Sequence, residues 1–250
     1  MRANWRKLFS ASVLLALSAC VPRTVVRGPG DPDLGVRVTW HGHACFTVED
    51  SVGRRFFIDP FDETVGYKLV WNDPDAVLIT DDHFDHNALR RTGRNYGVVA
   101  STGVHTVAEI EVSGYAADHD DQEGRKLGPT RFYVWEMGGL RFAHLGGIGQ
   151  TKLRPDQKEA LRDIDVLFIP VGGVVTVDGP QAAALVEEIK PKIAVPMQYG
   201  NEKVRAFVLG PVDPFLDEFD DVFDLPDDSF QVRKASLPET TTIYVPAVPE

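Results

Sequence analysis

Thr80-Asp81-Asp82-His83-Phe84-Asp85-His86 follows directly on Ala76-Val77-Leu78-Ile79, a run so continuously apolar that it reads as a strand covered on both faces. The switch from apolar to ionisable residues brings Asp81, His83, Asp85 and His86 together where a buried strand gives out into a loop. At such a point a site can open to solvent while its scaffold stays rigid. Imidazole and carboxylate are ligands that suit zinc, iron or manganese. From these residues alone the segment is either a cation-binding loop or a solvated acidic turn that carries two histidines. A helical stretch is expected next, over Asn87 to Arg91.

Upstream, Val36 to Trp40, Ala44 to Val48 and Arg55 to Asp59 are short runs rich in β-branched and aromatic residues, with Asp50-Ser51-Val52-Gly53 as a hairpin turn between the last two. Downstream, Arg131 to Met137 and Leu140 to His144 pair across Gly138-Gly139. Pro155 to Asp163 has a helical start and period, Asp165 to Val171 is a buried strand, and Pro180 to Ile189 is a helix with Pro191 just beyond its end. Lys192 to Pro196 is again a strand, and a last one is expected at Thr241 to Val245. Strand meanders followed by helix-strand alternation in each half suggest two sheets with helices outside; pattern alone fixes only mixed α/β.

The chain's 250 residues, 43% of them hydrophobic, are enough for one large domain with a sizeable core. The net charge of −11, concentrated towards the C-terminus from Asp213 to Asp228, repels phosphate backbones and argues against nucleic acid as a partner. At the N-terminus, Arg2, Arg6 and Lys7 precede a short apolar run, Leu8 to Leu17, that suits a signal peptide and is too short to span a bilayer. The run ends in Leu17-Ser18-Ala19-Cys20, which resembles a bacterial lipobox. That resemblance implies a signal peptide over residues 1–20, lipid on Cys20, a Pro- and Gly-rich tether over 21–35 and an exported domain over 36–250. It also implies a membrane anchor in the cell envelope. Val21, where an aspartate would retain the protein at the inner membrane, favours the outer membrane facing the periplasm. Cys45, the other cysteine, lies in an apolar strand pattern and reads as a buried hydrophobe.

The segment from Asp81 to His86 resembles the His-Xaa-His-Xaa-Asp-His signature of the metallo-β-lactamase superfamily. The chain is similar to the lactonase-like branch through Trp40-His41-Gly42-His43, Phe57-Ile58-Asp59-Pro60-Phe61, Asp118-His119-Asp120-Asp121, His144-Leu145-Gly146-Gly147, Pro170-Val171-Gly172-Gly173 and Pro196-Met197-Gln198-Tyr199. These stretches run in family order and imply a four-layer αββα sandwich. Three positions depart from the pattern. Asp81 stands where the signature has its first histidine, Gly147 where the family has a metal-bridging aspartate, and Gln198 where it has a late histidine.

The resemblance assigns Asp81, His83 and His119 to a first metal site, and a carboxylate with two imidazoles remains a competent set. A second site keeps Asp85 and His86, with Gln198 as a weak amide ligand. Two dications about 3.5 Å apart repel by roughly 19 kcal/mol at an effective dielectric near 20, and Gly147 offers no anionic bridge to offset it. One tightly bound divalent metal is therefore expected, zinc first, with iron or manganese as alternatives. Asp59 is expected beside the site, orienting the ligand loop, and His43 near the pocket as a residue behind the ligands or a donor to substrate. Asp85 is the candidate to orient a water or take its proton. The implied function is hydrolysis of an ester, lactone or phosphoester bond in a small-molecule substrate. The alternative is a non-catalytic envelope lipoprotein that uses a degenerate site for binding. His144 reads as structural, His105 as a surface residue, and His41 carries no assignment.

Overall fold

The computed structural model describes residues 28, 30–90 and 95–250. The expected signal peptide, Cys20 and most of the tether lie outside them. Residues 31–34 form a turn that docks on the domain. The Asp31 amide donates to Ser51 Oγ at 2.7 Å in the hairpin turn, and Gly35 N donates to Pro32 O at 3.3 Å within the segment.

Three strands open the domain: β1 (Val36–Gly42), β2 (Cys45–Glu49) and β3 (Arg55–Ile58). The β2–β3 turn falls at Asp50–Gly53 because the Asp50 carboxylate accepts the amides of Val52 and Arg54 and pairs with the Arg54 guanidinium at 2.7 Å. β4 (Ala76–Leu78) and β5 (Gly97–Val99) then add in parallel. β6 (Gly103–Val107), β7 (Ile110–Asp118), β8 (Pro129–Met137) and β9 (Leu140–His144) form an antiparallel meander. The second half continues through α1 (Pro155–Ala160), β10 (Val166–Pro170), α2 (Gly179–Ile189), β11 (Ile193–Met197), α3 (Asp213–Leu216), β12 (Val222–Asp224), β13 (Ser229–Val232) and β14 (Thr242–Val245).

The strands make two mixed sheets, ordered β13-β1-β2-β3-β4-β5 and β12-β14-β11-β10-β9-β8-β7-β6. The two-fold side-chain period sorts the first sheet's residues by face. Phe46, Val48, Phe56, Ile58, Ala76 and Leu78 point into the core between the sheets. There Phe46 meets Phe168 of β10 with ring centroids 4.4 Å apart. Cys45, Phe57, Val77 and Ile79 point the other way, under Phe61, Val65, Tyr67 and Leu69. Burial on both faces accounts for the unbroken apolar run before Thr80.

The sandwich is the expected one, with two local corrections. No helix forms at Asn87–Arg90, and Arg91 lies outside the described residues. The outer face of the first sheet is closed instead by the 61–69 segment, which holds one 3-10 turn at Glu63–Val65 capped by the Asp62 carboxylate. α1 also stops at Ala160, short of Asp163, with Asp163 in the left-handed region at φ 54°. α2 matches its sequence signals. Asp178 and Gln181 cap each other reciprocally, Pro180 sits in the first turn, and Lys190 closes the helix at φ 55° before Pro191.

Candidate functional site

The carboxyl ends of β4, β7, β9 and β11, with the tight turn after β1, bring the singled-out residues to one edge of the sandwich. Asp59 organises that edge. It is fully buried at φ 47°, its amide donates to Leu78 O, and its carboxylate accepts from Thr80 N at 2.7 Å and from Thr80 Oγ1. Oδ2 also pairs with His86 Nδ1 at 2.8 Å. Burial alone would push the Asp59 carboxyl up, but His86, His144 and Thr80 outweigh it and hold it below the ordinary carboxylate range. With Nδ1 donating to Asp59, His86 turns Nε2 inwards, the orientation a metal-binding imidazole needs. Burial opposes a charge on His86, yet Asp59, Asp85 and Asp81 carry its pKa up to about 9.

Asp81, His83 and His119 meet, each offering a ligand atom within 4.8 Å of the others. Asp81 Oδ1 accepts from the His83 amide at 2.9 Å and lies 2.5 Å from His83 Nδ1; Oδ2 is 3.5 Å from His119 Nε2. His83 is the exposed member, its side chain 56% accessible, whereas Asp81 and His119 are buried. Burial pushes the His119 imidazole down, with partial compensation from Asp81, so it presents a neutral ligand nitrogen. β7 is anchored just before His119, where the Asp118 amide donates to Gln150 Oε1 at 3.0 Å and its carboxylate pairs with Arg154 at 2.9 Å.

His43, Asp85 and His86 form a second group whose ligand atoms also lie within 4.8 Å of one another. His43 Nε2 is 2.9 Å and His86 Nε2 3.5 Å from Asp85 Oδ2. Burial would raise the Asp85 carboxyl, but the two histidines hold it well below the usual carboxylate range. Gln198 is buried beside His43, at φ 53°, with its amide donating to His43 O at 3.0 Å. Asp59, His43 and Gln198 are thus three non-glycine residues at positive φ around one site, a concentration of backbone strain typical of functional centres.

The donors fit a cation by two further observations. Among the described residues, buried Asp81 Oδ2, His86 Nε2 and Gln198 Oε1 have no hydrogen-bond partner, a costly state for protein groups unless they are kept for a ligand. The donor set, imidazole nitrogen and carboxylate oxygen, is one that borderline dications accept. Gly147 does more than omit a carboxylate. A Cβ there would sit 3.0 Å from His119 Cε1 and 3.1 Å from Nε2, so the glycine leaves the ring its room.

Of the remaining histidines, His144 backs the site from the core, its Nδ1 3.9 Å from Asp59 Oδ2 and its Nε2 2.9 Å from Ala44 O; His105 lies on the edge strand β6, and His41 pairs with Thr47 Oγ1 at 2.6 Å. Burial lowers the His41 pKa to about 4. Cys45 is buried, and burial pushes its thiol well up.

Sequence reading missed Asp120. Its carboxylate accepts four main-chain amides, from Gln122, Gly124, Lys126 and Leu127, at 2.7–2.9 Å. It thereby ties down the loop that follows His119 and walls a cleft of about 240 Å³ with Val174 and Thr176 opposite. The available signal was an aspartate at the head of an Asp-Gln-Glu-Gly turn. Asp120→Ala should speed amide hydrogen exchange at Gln122–Leu127 at least ~10-fold while leaving β10 and β11 unchanged, as read by exchange mass spectrometry. Uniform acceleration, or none, would show that the carboxylate does not hold this loop.

Residues 37–198 match the family described as the β-lactamase superfamily domain. A UPF0173 protein of Pyrococcus furiosus is 34% identical over 184 residues, covering 66% of this chain and 84% of the relative. A UPF0173 metal-dependent hydrolase of Thermoplasma volcanium is 28% identical over 197 residues, covering 67% of this chain and 85% of the relative. Among solved structures, a Thermotoga maritima protein assigned to the metallo-β-lactamase superfamily as a Zn-dependent hydrolase superposes with a TM-score of 0.70 at 30% identity, over 86% of this chain and all of that one. Fold, site and kinship agree: the chain belongs to the metallo-β-lactamase superfamily and, within it, to the UPF0173 metal-dependent hydrolase family.

Proposed function

We propose that the protein hydrolyses a compact ester, lactone or phosphoester with one tightly held divalent cation, zinc before iron or manganese, at Asp81, His83 and His119. The observation that carries this reading is the convergence of those three residues, with the buried Asp81 Oδ2 3.5 Å from His119 Nε2 and in no hydrogen bond among the described residues. A cation there supplies Lewis acidity towards a carbonyl or phosphoryl oxygen and makes a water nucleophile available near neutral pH. Asp85 stands beside this group, ionised and fixed by His43. A carboxylate held so far below its usual range orients a water by accepting its hydrogen bond better than it stores the proton. Asp59 and Thr80 fix the start of the ligand loop, and Asp120 fixes the cleft wall next to His119. The small cleft supports a compact substrate. The lipobox-like segment ending at Cys20 supports an envelope-anchored enzyme facing the periplasm, with a membrane partner on one side and a small molecule on the other.

The test is a panel of nitrophenyl esters, lactones and bis-nitrophenyl phosphate, with and without chelator. Hydrolysis of at least one class is expected, lost on chelation, restored by added metal, and reduced by roughly 100-fold or more in His83→Ala. Hydrolysis that His83→Ala leaves intact, or none of any class, would turn the reading towards a binding lipoprotein.

A further inference from the structure

We infer that the site receives an uncharged ester with a short apolar arm, alkyl or aryl, and that Phe84, Phe207 and Val208 form the subsite on which that arm lies. The inference rests on the reading of Asp81, His83 and His119 as the reacting centre and adds the class of substrate that centre serves. Phe84 sits in the chain between His83 and Asp85, yet it is 50% exposed. Its backbone is tied, with Phe84 O accepting from the Asp62 amide at 3.0 Å. The ring stacks on Phe207 with centroids 5.8 Å apart at 23°, and Phe207 stacks in turn on His43 at 5.5 Å and 12°. His43 Nε2 is 2.9 Å from Asp85 Oδ2, so a row of three rings leads from solvent to that carboxylate.

The row is set by the backbone. His43 follows a bulge in the β1–β2 ladder, where the register shifts between Trp40 and Gly42. Residues 200–210 close on themselves, Gly200 N donating to Gly210 O at 2.7 Å. They are tied down by Asn201 Nδ2 on the Tyr67 hydroxyl at 2.6 Å and by the Arg205 amide on Val65 O at 2.8 Å. This segment holds Phe207 against His43 and presents Val208, 89% exposed, next to it in the chain. Gly210 N also donates to Gly172 O at 2.7 Å, joining the segment to the loop that leads into α2. In that loop Val174 is 72% exposed at φ 67°, an outlier for a β-branched residue, and it lines the cleft beside His119. Apolar side chains therefore flank the metal donors on the His43 side and on the His119 side. One exposed valine needs no explanation, but an apolar patch that runs into a polar centre is the pattern of a ligand groove.

The charges favour the same class. Asp120, Asp121 and Asp178 line the cleft against one lysine, Lys126. A phosphate group, which is held by arginine and lysine clamps, gains little from such walls, whereas an uncharged ester meets no repulsion. Burial of the arm on Phe84 and Phe207 is the same in substrate and transition state, so it acts on KM more than on kcat.

The experiment pairs two series on the full-length protein. Nitrophenyl esters from butyrate to octanoate report turnover. The straight-chain amides from butanamide to octanamide, which carry no leaving group, report binding by calorimetry. Amide affinity and ester kcat/KM are each expected to rise roughly 3-fold per methylene, the esters mainly through KM, with a binding heat capacity that grows more negative along the series. Phe84→Ser should cut the octanamide-over-butanamide ratio by about 10-fold or more, and Phe84→Leu should keep most of it. Val104→Ser, at an exposed valine on the edge strand β6, should leave the ratio unchanged. A flat amide series would overturn the inference, and ester hydrolysis would then tell separately whether the hydrolase reading stands. A rising series that Phe84→Ser does not touch would overturn it too, since the arm then binds elsewhere. So would a flat series in which Phe84→Ser instead abolishes self-association in sedimentation, or binding to phosphatidylethanolamine–phosphatidylglycerol vesicles, because a second copy or a membrane then covers the patch. A rising amide series without hydrolysis of any ester would support the apolar subsite and defeat the hydrolase reading.

Discussion

Asp59→Ala is expected to destabilise the protein by about 3–5 kcal/mol, read as a lower urea midpoint at unchanged slope. The side chain has no solvent contact and satisfies three donors at once: the Thr80 amide, the Thr80 hydroxyl and His86 Nδ1. Truncation leaves all three buried without an acceptor, which is the costly direction of hydrogen-bond loss. It also removes the negative charge that keeps His86 protonated when no metal is bound. Asp59→Asn separates the two effects. The amide oxygen can still accept from Thr80, so less stability is lost, but it cannot take the imidazole's charge. Metal affinity should still fall about 10–100-fold, the usual loss when a histidine ligand's orienting partner is changed. Equal stability for wild type and Asp59→Ala would mean that the 80–86 segment is held by something other than this carboxylate.

The second large effect is expected at His119. Its ring is buried against Gly147 and faces Asp81 Oδ2, so His119→Ala deletes a ligand without exposing a new charge. Loss of tight metal binding by about 100-fold or more is expected, beyond that of any change one bond further out, with hydrolysis falling in step. Stability should fall by only about 1–2 kcal/mol, because Asp118, Gln150 and Arg154 anchor the strand end independently. His105→Ala, on the edge strand, serves as the control and should change neither quantity. Metal binding that survives His119→Ala would move the cation to the His43 group.

Much of this architecture was legible in the sequence because its signals were local. The run before Thr80 announced a strand covered on both faces, Asp50–Gly53 a hairpin turn, and Pro180 with Pro191 the two ends of a helix, and each forms as read. The helix expected at Asn87–Arg91 had no N-cap and no apolar period to support it, and the chain covers that face with Phe61, Val65, Tyr67 and Leu69 instead. β7 was readable in principle. Its buried Ile110, Val112 and Gly114 alternate with more exposed partners, but a glycine and two alanines dilute the pattern. β6 was not readable, since an edge strand with three exposed positions has no core face to reveal.

The site divides in the same way. Adjacent ligands in the 81–86 segment declared themselves through spacing, and His119 became a candidate only through resemblance. The His43–Asp85 contact spans 42 residues and depends on a bulge and on Gln198's backbone, neither of which leaves a mark in the sequence. Gly147 reads in sequence as a missing bridge; only the structure shows that the His119 ring needs its space.

The most direct measurement is metal content of the full-length protein, purified without added metal or chelator, by elemental mass spectrometry. The account predicts about one equivalent of zinc, iron or manganese per chain, lost in His83→Ala and in His119→Ala. No bound metal, with none gained when a dication is added in excess, would contradict it.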